Sequence, residues 1–429
     1  MSETPKKIRS ESPIPLRRLA GAGVGQTIEW FDWTAYAILA VYFADQFFPE
    51  SASGLAALLG TFGILAVGFI VRPLAGLIVG ALADHFGRMF ALMLTIYGMG
   101  ISSLVIALAP TYEQVGVFAP IILLLARIVQ GISIGGELAS VTAYAMEAAA
   151  PGRRGLVAGF AHAFGFAGQA AVIGVVTIVA TLLDDQQMEQ WGWRLVFLIG
   201  AALTIVGYFM RRHITDTLDP RETETKMTWS SITRPMREYP RQTFQVIGLT
   251  AGFTAMVYAW GTYFPTYANT YHGLDLDRSL LALFIVNVFC IIVVPFTGMV
   301  SDRFGRKIVM SCAGLALTLI TIPALGMLND SFVRLISIQL LGNFFILFLQ
   351  SSSIAAYAEL FPKKFRAAGF GFPYSLTVGL VGGTIPMVGT QFVNVGLPQI
   401  FPWYLVILIG ISTVFYMTMK ETAFKPLPE

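Results

Sequence analysis

Twelve stretches of mostly apolar residues, separated by shorter polar segments, run along the chain at about 20–48, 54–82, 89–110, 116–146, 156–183, 193–210, 243–268, 279–300, 308–328, 333–360, 367–395 and 400–419. A helix rises about 1.5 Å per residue, so about 20 apolar residues cross a bilayer core. The pattern predicts an all-α membrane protein with twelve transmembrane helices. One long polar interval, 211–242, splits them six and six. The expected organisation is a tail at 1–19, a six-helix bundle at 20–210, a linker at 211–242, a second bundle at 243–419 and a tail at 420–429.

Composition agrees. Hydrophobic residues make up 55% of the chain and charged residues only 12%, about half the charged share of an ordinary soluble domain. Of the 28 Lys and Arg, 23 fall in the two tails and in alternate loops. That asymmetry predicts both termini inside the cell, with the inner membrane of a bacterium as the expected location. The net charge of +3 therefore reflects loop sidedness, and no nucleic-acid partner is expected. The N-terminal tail lacks a small-residue cleavage site, so it does not read as a cleaved signal. Cys290 and Cys312 both fall in spans, and four histidines are scattered. Neither a disulfide framework, a metal site nor a cofactor is expected. The bilayer and a small solute are the expected partners of a monomer.

Two short motifs occur twice, once per half. Gly80-Ala-Leu-Ala-Asp84-His-Phe-Gly87-Arg88 and Gly298-Met-Val-Ser-Asp302-Arg-Phe-Gly305-Arg306-Lys307 share the spacing Gly-x3-Asp-x-Phe-Gly-Arg. Glu147 precedes Arg154 by seven residues, as Glu359 precedes Arg366. Small residues at Gly80 and Gly298 allow close helix approach. The acids can cap helix N-termini or pair with Arg. These repeats predict a charge network at the inner face, with Arg72, Asp84, Arg88, Glu147, Arg154, Asp302, Arg306, Glu359 and Arg366 forming a gate that closes in one state and opens in another.

Charges at membrane depth are costly, so each is a functional candidate. Glu29 and Asp32 are three apart on one face of the first span, and Arg127 and Gln130 are three apart on the fourth. Glu29, Asp32, Glu137 and His162 are the candidate proton carriers. Arg127, Gln130, Tyr258, Tyr263 and Asn343 are the candidate substrate contacts, with aromatic and amide groups in the second half facing charge in the first. The glycines crowding 369–389 predict close packing and bending of the eleventh helix.

The duplicated loop resembles the signature of the major facilitator superfamily. Gln26-Thr-Ile-Glu29-Trp-Phe-Asp32-Trp33, Arg72-Pro-Leu-Ala-Gly76, Gln130-Gly-Ile-Ser-Ile-Gly135-Gly136-Glu137, Trp191-Gly-Trp-Arg194 and Met419-Lys-Glu-Thr422 narrow the likeness to its metabolite:proton symporter family. The resemblance implies two pseudo-symmetric bundles, with the first, fourth, seventh and tenth helices lining a central cavity. It also implies proton-coupled uptake of a small organic acid. A carrier of a zwitterionic osmolyte such as proline or betaine, and a proton-driven efflux carrier, are the alternatives. Arg127 favours an acid, because a guanidinium can grip a carboxylate with two parallel hydrogen bonds. Met89 stands where a second basic residue is common in the loop, and the chain stops at Glu429 short of the coiled-coil extension of osmosensing members. No metalloprotease, nucleophile-elbow or phosphate-loop motif occurs, so neither an enzyme nor an ATP-driven pump is expected.

Overall fold

The computed structural model describes residues 16–86, 88–134, 146, 149–150, 152–211, 229–329, 331–362 and 365–428. Twelve helices account for the predicted spans. In the first half they are α1 (Leu16–Phe43), α2 (Gly54–Phe86), α3 (Arg88–Leu108), α4 (Phe118–Ile134), α5 (Arg154–Leu182) and α6 (Trp193–Arg211). In the second half α7 covers 240–272, joining Pro240–Tyr258 and Phe264–His272 through a π-helical turn at Ala259–Tyr263. Then follow α8 (Leu276–Phe304), α9 (Arg306–Gly326) and α10 (Phe332–Leu360). α11 covers 366–394, with a π-helical turn at Val378–Gly382 between Arg366–Thr377 and Ile385–Asn394, and α12 is Ile400–Thr418. Among the described residues, eight helices are long and apolar enough to span a bilayer by themselves, with α8 the most apolar at a mean hydropathy of 2.7.

The helices pair the same way in both halves. α1 packs on α5, α2 on α4 and α3 on α6; six positions later α7 packs on α11, α8 on α10 and α9 on α12. Exposed side chains such as Leu108, Phe118, Leu182, Leu319 and Val333 lie on the outside of the bundles, as expected where the solvent is lipid and every backbone polar group is satisfied within a helix. The segment read as a linker holds a helix, Trp229–Glu238, whose Arg234 lies 5.8 Å over the Phe365 ring. Residues 212–228 of it, and the tail 1–15, lie outside the described residues.

The two halves meet most extensively where α5 lies along α8, and again where α2 lies along α11. Glycine makes both approaches possible. A Cβ on Gly298 would sit 2.1 Å from the Gly155 carbonyl oxygen, and one on Gly379 would sit 2.7 Å from that of Phe69. The glycines of α11 thus serve the packing predicted for them, and the π turn of α11 falls at this contact. Such turns recur at functional sites because they re-aim side chains and free backbone groups.

Candidate functional site

The polar centre of the first half is built on three helices. Asp32 of α1 is 3% exposed and accepts a hydrogen bond from Ser103 Oγ of α3 at 2.5 Å. Its other oxygen accepts from Gln130 Nε2 of α4, which also reaches Ser103 Oγ at 3.1 Å. Gln130 Oε1 has no partner among the described residues. The carboxylate is therefore held by neutral donors. One turn earlier on α4, the fully buried Arg127 places its guanidinium 3.8 Å over the Tyr36 ring and 5.2 Å from the Trp33 ring. None of its three nitrogens has a hydrogen-bond acceptor among the described residues. Its charge acts on Asp32, though no direct hydrogen bond joins the two among the described residues.

Glu29 instead pairs with Arg72 of α2, at 3.4 Å. Arg72, grouped with the gate in the sequence, thus has a partner on the first helix; it lies eight positions before Gly80, about 12 Å from it along α2 at 1.5 Å per residue. Its guanidinium lies 4.3 Å from both the Trp33 and Phe69 rings, so Trp33 is close to both buried arginines. Beside it lies a small gap with room for about one water. Trp30, Trp33, Phe69, Tyr258 and Thr262 are among its walls. Tyr258, a candidate substrate contact, lines this gap. Tyr263 is behind the wall, its hydroxyl paired with Thr390 at 3.1 Å and its ring edge-on to Phe62 and Phe401. Asn343 donates within α10 to the Gln339 carbonyl at 2.9 Å. His162 is buried on α5, beside the Gln350 backbone of α10. Glu137 lies outside the described residues. Ser103 was missed, although the polar pair Ser102-Ser103 inside an apolar span was a signal.

At one end of the bundle the second duplicated loop forms a charge network across the halves. Arg154 of α5 donates to Glu359 of α10 at 3.1 Å, and Arg306 reaches the same carboxylate oxygen at 3.3 Å. Arg306 also pairs with Asp302 at 2.8 Å. The Asp302 carboxylate accepts from the Gly155 and Leu156 amides at 2.8 and 2.9 Å, so a side chain of the second half caps a helix of the first. Arg366 donates to the Ala358 carbonyl at 3.0 Å. Glu147 and the side chains of Asp84 and Arg88 lie outside the described residues.

Residues after α12, which the sequence did not connect with the charge network, complete it. Glu421 accepts from the Arg306 and Lys307 amides at 2.9 and 3.1 Å and so caps α9. Thr422 donates to Glu359 at 2.6 Å. The carbonyls of Lys425 and Pro428 accept from Arg154 and Arg366. Substituting Asp302→Asn should leave one of the two α5 amides without an acceptor and Arg306 with Glu359 alone as counter-ion. A hydrogen bond to a charged group contributes about 1.5–3 kcal/mol, so amide exchange at Gly155 and Leu156 should quicken at least about tenfold while substrate affinity holds. Unchanged exchange would show that Asp302 does not hold this end closed.

Twelve helices in two like bundles, with polar groups buried between them, define a membrane transporter. The chain belongs to the Major Facilitator Superfamily, whose family model matches residues 22–386. It is 32% identical over 396 residues to the alpha-ketoglutarate permease of Escherichia coli strain K12, covering 92% of this chain and 91% of that one. It is 30% identical over 429 residues to the proline/betaine transporter of the same strain, covering 96% and 84%. Among solved structures it is similar to the E. coli xylose transporter XylE in a partially occluded inward-open conformation. There the TM-score is 0.69 at 19% identity, over 96% of this chain and 99% of that one. That likeness supports the fold. The relatives are transporters, and the chain is a multi-pass membrane transporter and not an enzyme.

Proposed function

We propose that this chain imports a small organic carboxylate together with protons, by alternating access, as a monomer in a bacterial inner membrane with both termini in the cytoplasm. The observation that carries the reading is Arg127, a buried guanidinium whose donors are all unused, close to a carboxylate held by neutral groups. A buried charge without partners is expensive. A substrate carboxylate that arrives there supplies the missing acceptors. The network of Arg154, Asp302, Arg306 and Glu359 would be the inner gate, and the concentration of Lys and Arg at that end supports the orientation. The relative described as an alpha-ketoglutarate permease supports an acid as cargo.

A second reading, transport of a zwitterionic osmolyte, draws on the proline/betaine relative and on the aromatic walls of the gap, which suit a quaternary ammonium. Two ring faces in that wall, Trp33 and Phe69, are already covered by Arg72, whose charge would repel such a cation. The acid is therefore preferred. Counterflow in proteoliposomes, with labelled carboxylates, betaines and amino acids, tests this. Exchange of an acid, accelerated by an inward pH gradient, is the expected result. Exchange confined to betaine or proline would overturn it.

A further inference from the structure

A second group of buried polar atoms lies on α5, α7, α8 and α10, and nothing described so far uses it. Asn287 of α8 is 2% exposed. Its Nδ2 donates to the Leu283 carbonyl at 2.9 Å, which fixes the orientation of the amide and leaves Oδ1 without a partner. Gln339 of α10 is fully buried and neither of its amide atoms has a partner; Gln169 Oε1 of α5 and Trp260 Nε1 of α7 also lack one.

These atoms belong to one region. A Cβ on Gly261 would lie 3.8 Å from Gln169 Oε1, which places Gln169 against the π turn of α7. The adjoining Trp260 ring presses on Gly342 of α10, one turn from Gln339. Along the α5–α8 contact, Gly174 meets Phe284 and Gly159 meets Val294, which brings Gln169 level with Asn287. Thr262 of the same π turn is in the wall of the gap. Buried polar groups are normally satisfied, and satisfying these falls to whatever occupies the centre.

The chemistry of that occupant follows from what the region offers. Segments 156–182, 242–274, 279–301 and 335–358 contain no Asp, Glu, Lys or Arg. A second carboxylate would find no Lys or Arg on these four segments as counter-ion. It would also have no proton to give Asn287 Oδ1, because an ionised carboxylate only accepts. An ammonium would find no carboxylate. A hydroxyl donates and accepts, and so fits Asn287 Oδ1, both atoms of Gln339 and the indole N–H of Trp260 together.

We infer that the transported acid carries a single carboxylate, bound at Arg127, and hydroxyl groups at its far end, read by Asn287, Gln339, Gln169 and Trp260. This rests on the acid-transport reading above and refines its substrate class. Binding to the purified full-length protein, followed by intrinsic tryptophan fluorescence, tests it with paired probes. Quinate and gluconate each have one carboxylate and several hydroxyls. Cyclohexanecarboxylate and hexanoate are their hydroxyl-free counterparts, 2-oxoglutarate and citrate carry extra carboxylates, and proline and betaine are zwitterions. A site built to hydrogen-bond a hydroxyl rejects the analogue lacking it. At least one hydroxylated monocarboxylate should bind tenfold or more tighter than its hydroxyl-free counterpart, and Gln339→Leu should collapse that ratio. Tightest binding of 2-oxoglutarate or citrate, or equal binding of the hydroxyl-free acids, would overturn the inference and leave acid transport standing. Binding of proline or betaine alone, or of none of the acids, would overturn the acid-transport reading itself.

Discussion

Arg127→Lys is expected to abolish substrate binding, by a factor of about a hundred or more, while the protein stays folded in the membrane. The two parts of that expectation have separate causes. Bidentate hydrogen bonds to a carboxylate are worth about 1.5–3 kcal/mol each, and an ammonium presents a point charge instead of a planar fork. Stability behaves differently because Arg127 makes no hydrogen bond among the described residues. Its stacking on Tyr36 at 3.8 Å contributes about 2 kcal/mol when desolvated, against a desolvation cost of several kcal/mol for a buried ion. A neutral replacement such as Arg127→Gln should therefore melt at the wild-type temperature or above it, and still bind nothing. Titration of substrate against the purified variants, beside a thermal melt, checks both parts. A Lys variant with wild-type affinity would remove Arg127 from the site. A Gln variant that unfolds would make it a structural residue.

The bundle was legible because each bilayer crossing demands the same run of apolar residues, and because the duplicated loop marked the internal repeat. The charge network at one end was legible in part, since Asp302, Arg306 and Glu359 belong to motifs placed twice at equivalent helix ends. The contacts that Glu421 and Thr422 make with it were not, since short polar tails carry no periodicity and their contacts depend on where the chain returns. Arg72 shows the limit of reading along one helix. Its distance from the loop was plain in residue number, yet its partner Glu29 sits on another helix, and which face of α2 turns inward depends on packing. The split between Glu29 and Asp32 was equally hidden. Three residues apart on one helix face, they look equivalent in sequence. The structure gives one an ion pair at 3.4 Å and the other a set of neutral donors.

That difference decides which carboxylate is expected to carry the proton. Asp32→Asn should retain substrate exchange but lose accumulation driven by a pH gradient, whereas Glu29→Gln should weaken binding or slow cycling and still respond to the gradient. An anion entering against about 100 mV, inside negative, is opposed by about 2.3 kcal/mol per charge, so net uptake needs at least one proton per carboxylate. Asp32 can take that proton without leaving an ion pair unmatched, because its partners are a hydroxyl and an amide. Gln130 completes the arrangement. Its Oε1 is unpaired, and a half-turn of the amide would exchange the donor now facing Asp32 for an acceptor, suited to a protonated carboxyl or to Asn. Glu29 lacks this freedom, since protonating it strands the charge of Arg72 between Trp33 and Phe69. Substrate arriving at Arg127 would cancel a positive charge close to Asp32 and so favour its protonation, and binding of substrate and of proton should reinforce each other. Proteoliposomes loaded with each variant separate exchange from accumulation directly. Concentration of substrate by Asp32→Asn under an imposed pH gradient would move the proton site elsewhere, and loss of accumulation only in Glu29→Gln would reverse the two roles.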